Sequence, residues 1–282
     1  MIATPMMLPT DHFLFQELGE LGRGGLGHVD MISVTESNCG NKPVGSRWAR
    51  KRLNAKWDAH PAIRDRFERE ILALKRMSHA NIVTLEGENL PGQPRFYVMP
   101  LYGSSARKHI ASGAWTGQWA SVARVGVTLA EAMQYAHDLG FIHRDLKPDN
   151  ILFNPGKPLV IADWGLGYFV HKESKVLQHL TRGGMGTEYY CSLEQWSTGK
   201  CDHRGDIYSL GMTLDEWVRG CQQPITVGMG VSGPSVVASS PGANAFNQVI
   251  YRMTRLIRTE RPPSMTAVAN ELAAALRLDE LH

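Results

Sequence analysis

The chain has 282 residues, 43% of them hydrophobic and 20% charged, with a formal charge of +3. That length is enough for a sizeable core and is expected to leave nothing for a further domain. The mild charge, with no basic tract, calls for no nucleic-acid partner; the lack of an apolar run of about twenty residues, or of a leader-like Met1 to Pro9, points away from membrane and secretion and to a cytoplasmic location.

Phe13 to Leu18 reads as a strand, followed by Leu21-Gly22-Arg23-Gly24-Gly25-Leu26-Gly27-His28-Val29, a G-x-G-x-x-G-x-V spacing. Glycines at Gly22, Gly24 and Gly27 let backbone N–H groups approach phosphate oxygens with no Cβ in the way. A dinucleotide fingerprint would need a helix directly afterwards. Val29 to Thr35 instead reads as a second strand, so the glycines join a hairpin and are expected to cover a nucleotide as a lid.

In Trp48 to Leu53 the period of two puts Ala49 and Lys51 on one face, turned inward, and Arg50 and Arg52 on the other, expected to be solvated. A helix is predicted from Pro61 to Met77. It carries Glu70, a carboxylate able to hold the Lys51 amine toward the α- and β-phosphates, with Leu74 on the same face by i,i+4 spacing. Glu68 and Asp65 point elsewhere. Gln118 to Leu139 is a long apolar-patterned helix.

The densest chemistry lies in His143-Arg144-Asp145-Leu146-Lys147-Pro148-Asp149-Asn150. One short loop there offers Asp145 as acceptor of a hydroxyl proton, Lys147 as a charge clamp and Asn150 as a metal ligand. The apolar run Pro158 to Ala162 reads as a strand that delivers Asp163 of Asp163-Trp164-Gly165, a carboxylate suited to Mg²⁺. Helices are further predicted at Leu210 to Arg219, Ala245 to Ile257 and Ser264 to Leu276. Gln222 to Asn244, rich in Gly, Ser, Pro and Val, is expected to be irregular or mobile. Cys39, Cys191, Cys201 and Cys221 lack C-x-x-C spacing and are expected to be reduced thiols. The scattered histidines, His79, His137 and His179 among them, are assigned to core or surface.

From about Phe13 to Leu278 these segments together resemble the eukaryotic-type (Hanks-type) serine/threonine protein kinase family. Trp48-Ala49-Arg50-Lys51 stands where the family has V-A-I-K, and Ser78-His79-Ala80-Asn81-Ile82-Val83 is similar to its H-P-N-I-V segment, with Ala80 in place of proline. Gly186 to Gln195 resembles G-T-x-x-Y-x-x-P-E, with Leu193 in place of proline. The resemblance implies an α+β, bilobal fold. Its small, mostly antiparallel β lobe, with one key helix, would span about 13–99, its hinge 100–103 and its larger, mostly helical lobe about 104–282, after an N-terminal extension of 1–12.

It further implies ATP as cosubstrate, bound with Mg²⁺ (or Mn²⁺) by Asn150 and Asp163 in a pocket served by both lobes. Met99 would be the gatekeeper, with Pro100, Leu101 and Tyr102 giving adenine-binding backbone; proline there lacks only its N–H. Val29, Ala49 and Leu152 would pack on adenine, and Leu74, Leu85, His143 and Trp164 would form an internal column. Glu194 is expected to pair, buried, with Arg261, and Asp206 to hold the backbone of the catalytic loop. The larger ring of Trp164, whose N–H needs a partner, is expected to disfavour flipping of its segment.

Lys147-Pro148 and Thr187 are the serine/threonine form, whereas tyrosine kinases commonly carry Ala-Ala-Arg or Arg-Ala-Ala; Thr187 would bond Asp145 and Lys147. Arg144 would dock a phosphate on the following loop, at Thr181 first and Ser174 second, because phosphate adds about two charges that arginine binds bidentately. The expected activity is transfer of the γ-phosphate of Mg-ATP to Ser or Thr hydroxyls of protein substrates, with autophosphorylation; the sequence leaves the oligomeric state open. The alternatives are a pseudokinase scaffold that binds nucleotide without transfer and a small-molecule kinase of the aminoglycoside-phosphotransferase type. Lys147-Pro148 and the G-T-x-x-Y segment argue against the second.

Overall fold

The computed structural model describes residues 13–23, 27–38, 40–90, 95–154, 156–166, 188–224 and 227–280. The chain divides into two compact units, one holding residues up to 78 together with 83–103, the other 79–82 together with 104–282.

The first unit is built on an antiparallel sheet of order β1-β2-β3-β5-β4, with β1 Phe13–Arg23, β2 Gly27–Ser37, β3 Arg47–Leu53, β4 Gly87–Asn89 and β5 Phe96–Pro100. β1 and β2 both run longer than predicted because they pair along nearly their whole length, Phe13 opposite Ser37 and Arg23 opposite His28. Alternation sorts the side chains by face. Phe13, Phe15, Ile32, Val34, Phe96 and Val98 bury one face, with Trp48 packed beside them. Burying each of these large side chains is worth about 1.5–3 kcal/mol.

Register places Val29, Lys51 and Tyr97 in one cross-strand row and Met31, Ala49 and Met99 in the next, both on the opposite face. Gly27 has a reason to be glycine within the sheet itself: a Cβ there would lie 2.2 Å from the Arg52 carbonyl oxygen.

Arg50 is buried and not solvated as the charge run suggested, whereas Arg52 is half-buried. Asp30, directly opposite Arg50, is 1% exposed and accepts from Arg50 Nη2 at 2.7 Å and Arg52 Nε at 2.6 Å. Glu17 takes a further bond from Arg50 at 2.6 Å. The guanidinium of Arg50 also lies 5.4 Å and 5.7 Å from the Phe15 and Phe96 ring centroids. A carboxylate on the neighbouring strand and two aromatic faces thus bury the Arg50–Asp30 pair, with Arg52 and Glu17 at its more exposed rim.

A single turn, α1 Ala55–Asp58, leads into α2 Pro61–Arg76. α2 starts with proline in its first turn, where the missing N–H costs nothing, and buries Ile63, Phe67, Glu70, Ile71, Ala73 and Leu74. Phe67 packs on Tyr97, with ring centroids 5.7 Å apart. Glu68, as expected, points elsewhere and pairs with Arg95.

The second unit is largely helical: α3 Ala106–Ala111, α4 Trp119–Asp138, α5 Leu193–Thr198, α6 His203–Arg219, α7 Pro241–Met253 and α8 Met265–Glu280. A small sheet of β6 Ser104–Ser105, β7 Ile151–Phe153 and β8 Val160–Ile161 accompanies them. β8 is shorter than the predicted Pro158 to Ala162, since only Val160 and Ile161 have antiparallel partners on β7. Helix α6 begins well before Leu210, because Asp202 caps it by accepting the Arg204 N–H at 2.9 Å. Its residues from Gly205 to Val218 are all buried.

α7 starts at Pro241, earlier than predicted, where Ser240 caps it. The preceding stretch is irregular, as expected, over its described residues, yet it is fastened. The fully buried carboxylate of Asp215 accepts from Arg219 Nε, Ser235 Oγ and Gln223 Nε2. Gly230, at φ +74°, lies so close to Thr254 that a Cβ would stand 2.1 Å from its carbonyl oxygen. Among the described residues no helix is long and apolar enough to cross a membrane.

Candidate active site

In the first unit the predicted pair is formed. Lys51 Nζ lies 2.7 Å and 3.0 Å from the two Glu70 carboxylate oxygens, and the Tyr97 hydroxyl donates to Glu70 Oε1 at 2.8 Å. Strand and helix each supply one partner: the period of two turns Lys51 to the face shared with Tyr97, and α2 presents Glu70 on its buried side. Glu70 is 3% exposed, whereas the Lys51 side chain keeps 19%. The amine is therefore anchored by the carboxylate of Glu70.

Around it, Ala49 and Met99 are buried, and Val29, Pro100, Leu101 and Tyr102 are half-buried. Burial, with the charge of Glu86 adding to it, raises the Tyr102 phenol above its ordinary pKa. Gly22 and Gly27 flank the predicted lid, and Gly24 lies outside the described residues.

In the second unit the loop from His143 to Asn150 is assembled by bonds from three directions. Asp206, at the start of α6, accepts the backbone N–H of His143 at 2.8 Å and of Arg144 at 2.7 Å. The Gln195 amide donates to the Arg144 carbonyl at 2.7 Å. His143, fully buried, donates from Nε2 to the Ala162 carbonyl at 3.0 Å and accepts the Asp145 N–H on Nδ1 at 3.2 Å, which fixes its tautomer. Arg144 and Asp163 both sit at positive φ, +66° and +63°, conformations that cost of order 1–3 kcal/mol and persist where surrounding bonds impose them.

Within this frame Lys147 Nζ donates to Asp145 Oδ2 at 2.8 Å, and Asn150 Nδ2 donates to the same oxygen at 3.2 Å and to the Asp145 carbonyl at 2.8 Å. Burial drives the Asp145 carboxyl above its ordinary pKa; Lys147 opposes this, and the nearby charge of Asp163 adds to it. The donor set suits Mg²⁺: with its nitrogen committed to Asp145, Asn150 offers its amide oxygen, and Asp163 brings a carboxylate. Leu152, on β7, is half-buried.

Trp164 packs on His143 with ring centroids 4.7 Å apart, and its indole N–H donates to the Ile161 carbonyl at 3.3 Å. Downstream, Arg261 holds both Glu194 oxygens at 2.6 Å and 3.0 Å, with the arginine side chain 0% exposed. Arg144 Nε and Nη1 are buried with no hydrogen-bond partner among the described residues. Thr181, Thr187 and Ser174 lie outside the described residues.

Sequence reasoning missed two groups. His137, assigned to core or surface, binds Asp206 Oδ2 through Nε2 at 2.8 Å. Burial alone would raise Asp206, but His137 and the backbone N–H of Arg144 hold its carboxyl below the usual range. Arg107 was not singled out, yet it reaches Asp149, Tyr190 and Glu216. No periodic or spacing signal marks either residue, since both contacts join segments far apart in the chain. Cys191 and Cys201 are free thiols that burial pushes up to about 12.

The model of the protein kinase domain family matches residues 15–226, and the chain belongs to that family. Its fold, an antiparallel sheet with one key helix in the first unit and a mainly helical second unit, is the family's. A receptor-like serine/threonine-protein kinase of Arabidopsis thaliana is 31% identical over 204 residues, 71% of this chain and 53% of that protein. A probable serine/threonine-protein kinase PknB of Corynebacterium glutamicum is 30% identical over 210 residues, 71% of this chain and 30% of that protein. The serine/threonine-protein kinase Pkn1 of Myxococcus xanthus is 29% identical over 279 residues, 93% of this chain and 38% of that protein. The chain thus spans about half or less of the length of these curated relatives.

Proposed function

We propose that this chain, over residues 13–282, is a serine/threonine protein kinase that transfers the γ-phosphate of Mg-ATP to Ser or Thr hydroxyls of protein substrates, itself included. The observation that carries the reading is the Asp145 carboxylate. It is buried, held by Lys147 at 2.8 Å, and set beside Asn150 on one loop whose backbone Asp206 fixes.

In this reading Asp145 orients the acceptor hydroxyl and takes its proton, and the free oxygen attacks the γ-phosphorus in line as the bond to the β-phosphate oxygen breaks. Lys147 neutralises charge on the transferred group. Lys51, kept in place by Glu70, orients the α- and β-phosphates together with backbone amides of Gly22, Gly24 and Gly27. Val29, Ala49 and Leu152 cover the adenine, Met99 lies behind it, and the backbone of Pro100 to Tyr102 reads its edge. Asn150 and Asp163 would hold Mg²⁺ (or Mn²⁺), whose chemistry when bound is to neutralise phosphate charge.

Positioning and electrostatics account for most of such a rate; about ten turnovers per second would correspond to a barrier near 16 kcal/mol. Thr187 would favour a short Ser or Thr acceptor. The buried nitrogens of Arg144 would receive a phosphate from Thr181, or failing that Ser174. A cytoplasmic location goes with this reading. Radiolabelled ATP with a generic protein substrate tests it: transfer by the wild type and none by Asp145→Asn supports a kinase, whereas Mg-ATP binding without transfer by the wild type identifies a pseudokinase scaffold.

A further inference from the structure

Arg107, on α3, stands inside an acidic site built by other segments. Its Nε lies 3.2 Å from Asp149 Oδ2, Nη1 meets Glu216 Oε1, and Nη2 meets the Tyr190 hydroxyl, which itself donates to Glu216 Oε2. The guanidinium carbon is 5.9 Å from the Tyr190 ring centroid. Glu216 is 3% exposed, Arg107 32% and Asp149 49%, so the cluster is closed at Glu216 and open to solvent at Asp149. Two carboxylates, a phenol oxygen and an aromatic face are the groups that bind a guanidinium tightly. Here the chain supplies the guanidinium itself.

Position gives the cluster a consequence for substrates. Asp149 follows Asp145 by four residues, which caps their separation at about 14 Å, the reach of about four residues of extended peptide. Tyr190 itself lies three residues after Thr187 in the chain. A peptide placing its hydroxyl at Asp145 therefore has side chains within reach of this site. Both Glu216 oxygens are already bonded, and a second cation would meet the positive charge of Arg107.

We propose that Arg107 fills from within the chain an acidic subsite that would otherwise select an arginine of the substrate, so that the enzyme accepts Ser/Thr peptides without a basic residue near the acceptor. This rests on the kinase reading above. A purely structural role for Arg107, tying α3 to α6, makes no such statement about substrates.

The test is a positional peptide scan around a fixed serine with wild type, Arg107→Ala and Arg107→Gln, alongside thermal melting with methylguanidinium. The wild type is expected to treat arginine and alanine peptides within about threefold of one another at every position. Either variant is expected to gain a preference for arginine of about tenfold in kcat/KM at one position, the effect of one charge-assisted contact. That preference should be lost again in Arg107→Gln/Asp149→Asn. Millimolar methylguanidinium should raise the melting temperature of Arg107→Ala and leave the wild type unmoved.

Strong arginine selection by the wild type overturns the proposal. So does a folded Arg107→Gln that transfers phosphate with unchanged selectivity. If no protein transfers phosphate to any peptide, the kinase reading fails by itself; methylguanidinium binding to Arg107→Ala still supports the subsite, and its absence overturns it.

Discussion

His137 Nε2 lies 2.8 Å from Asp206 Oδ2, the oxygen that also accepts the His143 N–H and so helps to shape the loop from His143 to Asn150. The carboxylate is fully buried and stays ionised because every donor around it favours the charged form. Asp206→Asn is expected to destabilise the protein by about 3–5 kcal/mol. His137→Leu should cost less, about 1–3 kcal/mol, since two backbone donors remain. The folded-state pKa of Asp206 is depressed, so its contribution is present above its ordinary pKa of about 3.9 and fades as pH falls below that. Urea denaturation should show a constant gap between wild type and Asp206→Asn from pH 7 to pH 5, closing below about pH 4.

Arg261 is wholly buried against Glu194, so either partner alone is an uncompensated charge. Glu194→Ala or Arg261→Ala is expected to cost about 3–5 kcal/mol, and the double change Glu194→Leu/Arg261→Met to recover most of it. Equilibrium denaturation of the three proteins checks this. Additive losses in the double variant would show that the pair is not a unit.

Lys51→Met should separate folding from activity. Glu70 keeps the Tyr97 hydroxyl at 2.8 Å, so the stability loss is expected to be modest, about 1–3 kcal/mol. Phosphotransfer is expected to fall at least about 100-fold, because an oriented positive charge on the phosphates is lost. Calorimetry and a kinase assay on one preparation distinguish these effects; an active variant would remove Lys51 from the proposed machinery.

Asp30→Asn would leave Arg50 and Arg52 without the carboxylate that both share. The expected cost is about 3 kcal/mol, read as a lower denaturation midpoint. An unchanged midpoint would mean that Glu17 alone compensates the arginines.

The fold class was legible through the resemblance that the motifs carry, and the faces of the paired residues through local spacing. A period of two put Lys51 on the right face, i,i+4 spacing put Glu70 and Leu74 together, and the order of the His143 to Asn150 and Asp163 to Gly165 segments marked the loop. What was illegible depends on partners far along the chain. The burial of Arg50 requires Asp30 on the next strand, and the use of His137 requires Asp206, 69 residues on. α6 and α7 began earlier than the apolar pattern suggested, since Asp202 and Ser240, not hydrophobic residues, set their starts. The composition of 222–244 announced irregular backbone and carried no sign of the Asp215 anchor beneath it.

The central claim is tested most directly by Asp145→Asn in a radiolabelled-ATP assay with serine, threonine and tyrosine peptides, with and without Mg²⁺. Burial already disfavours charge at this position, so the variant in EDTA at pH 7 is expected to melt no lower than the wild type. The account predicts Mg²⁺-dependent label on serine or threonine with wild type and a loss of at least about 1,000-fold with the variant. Equal labelling by the two proteins would contradict it.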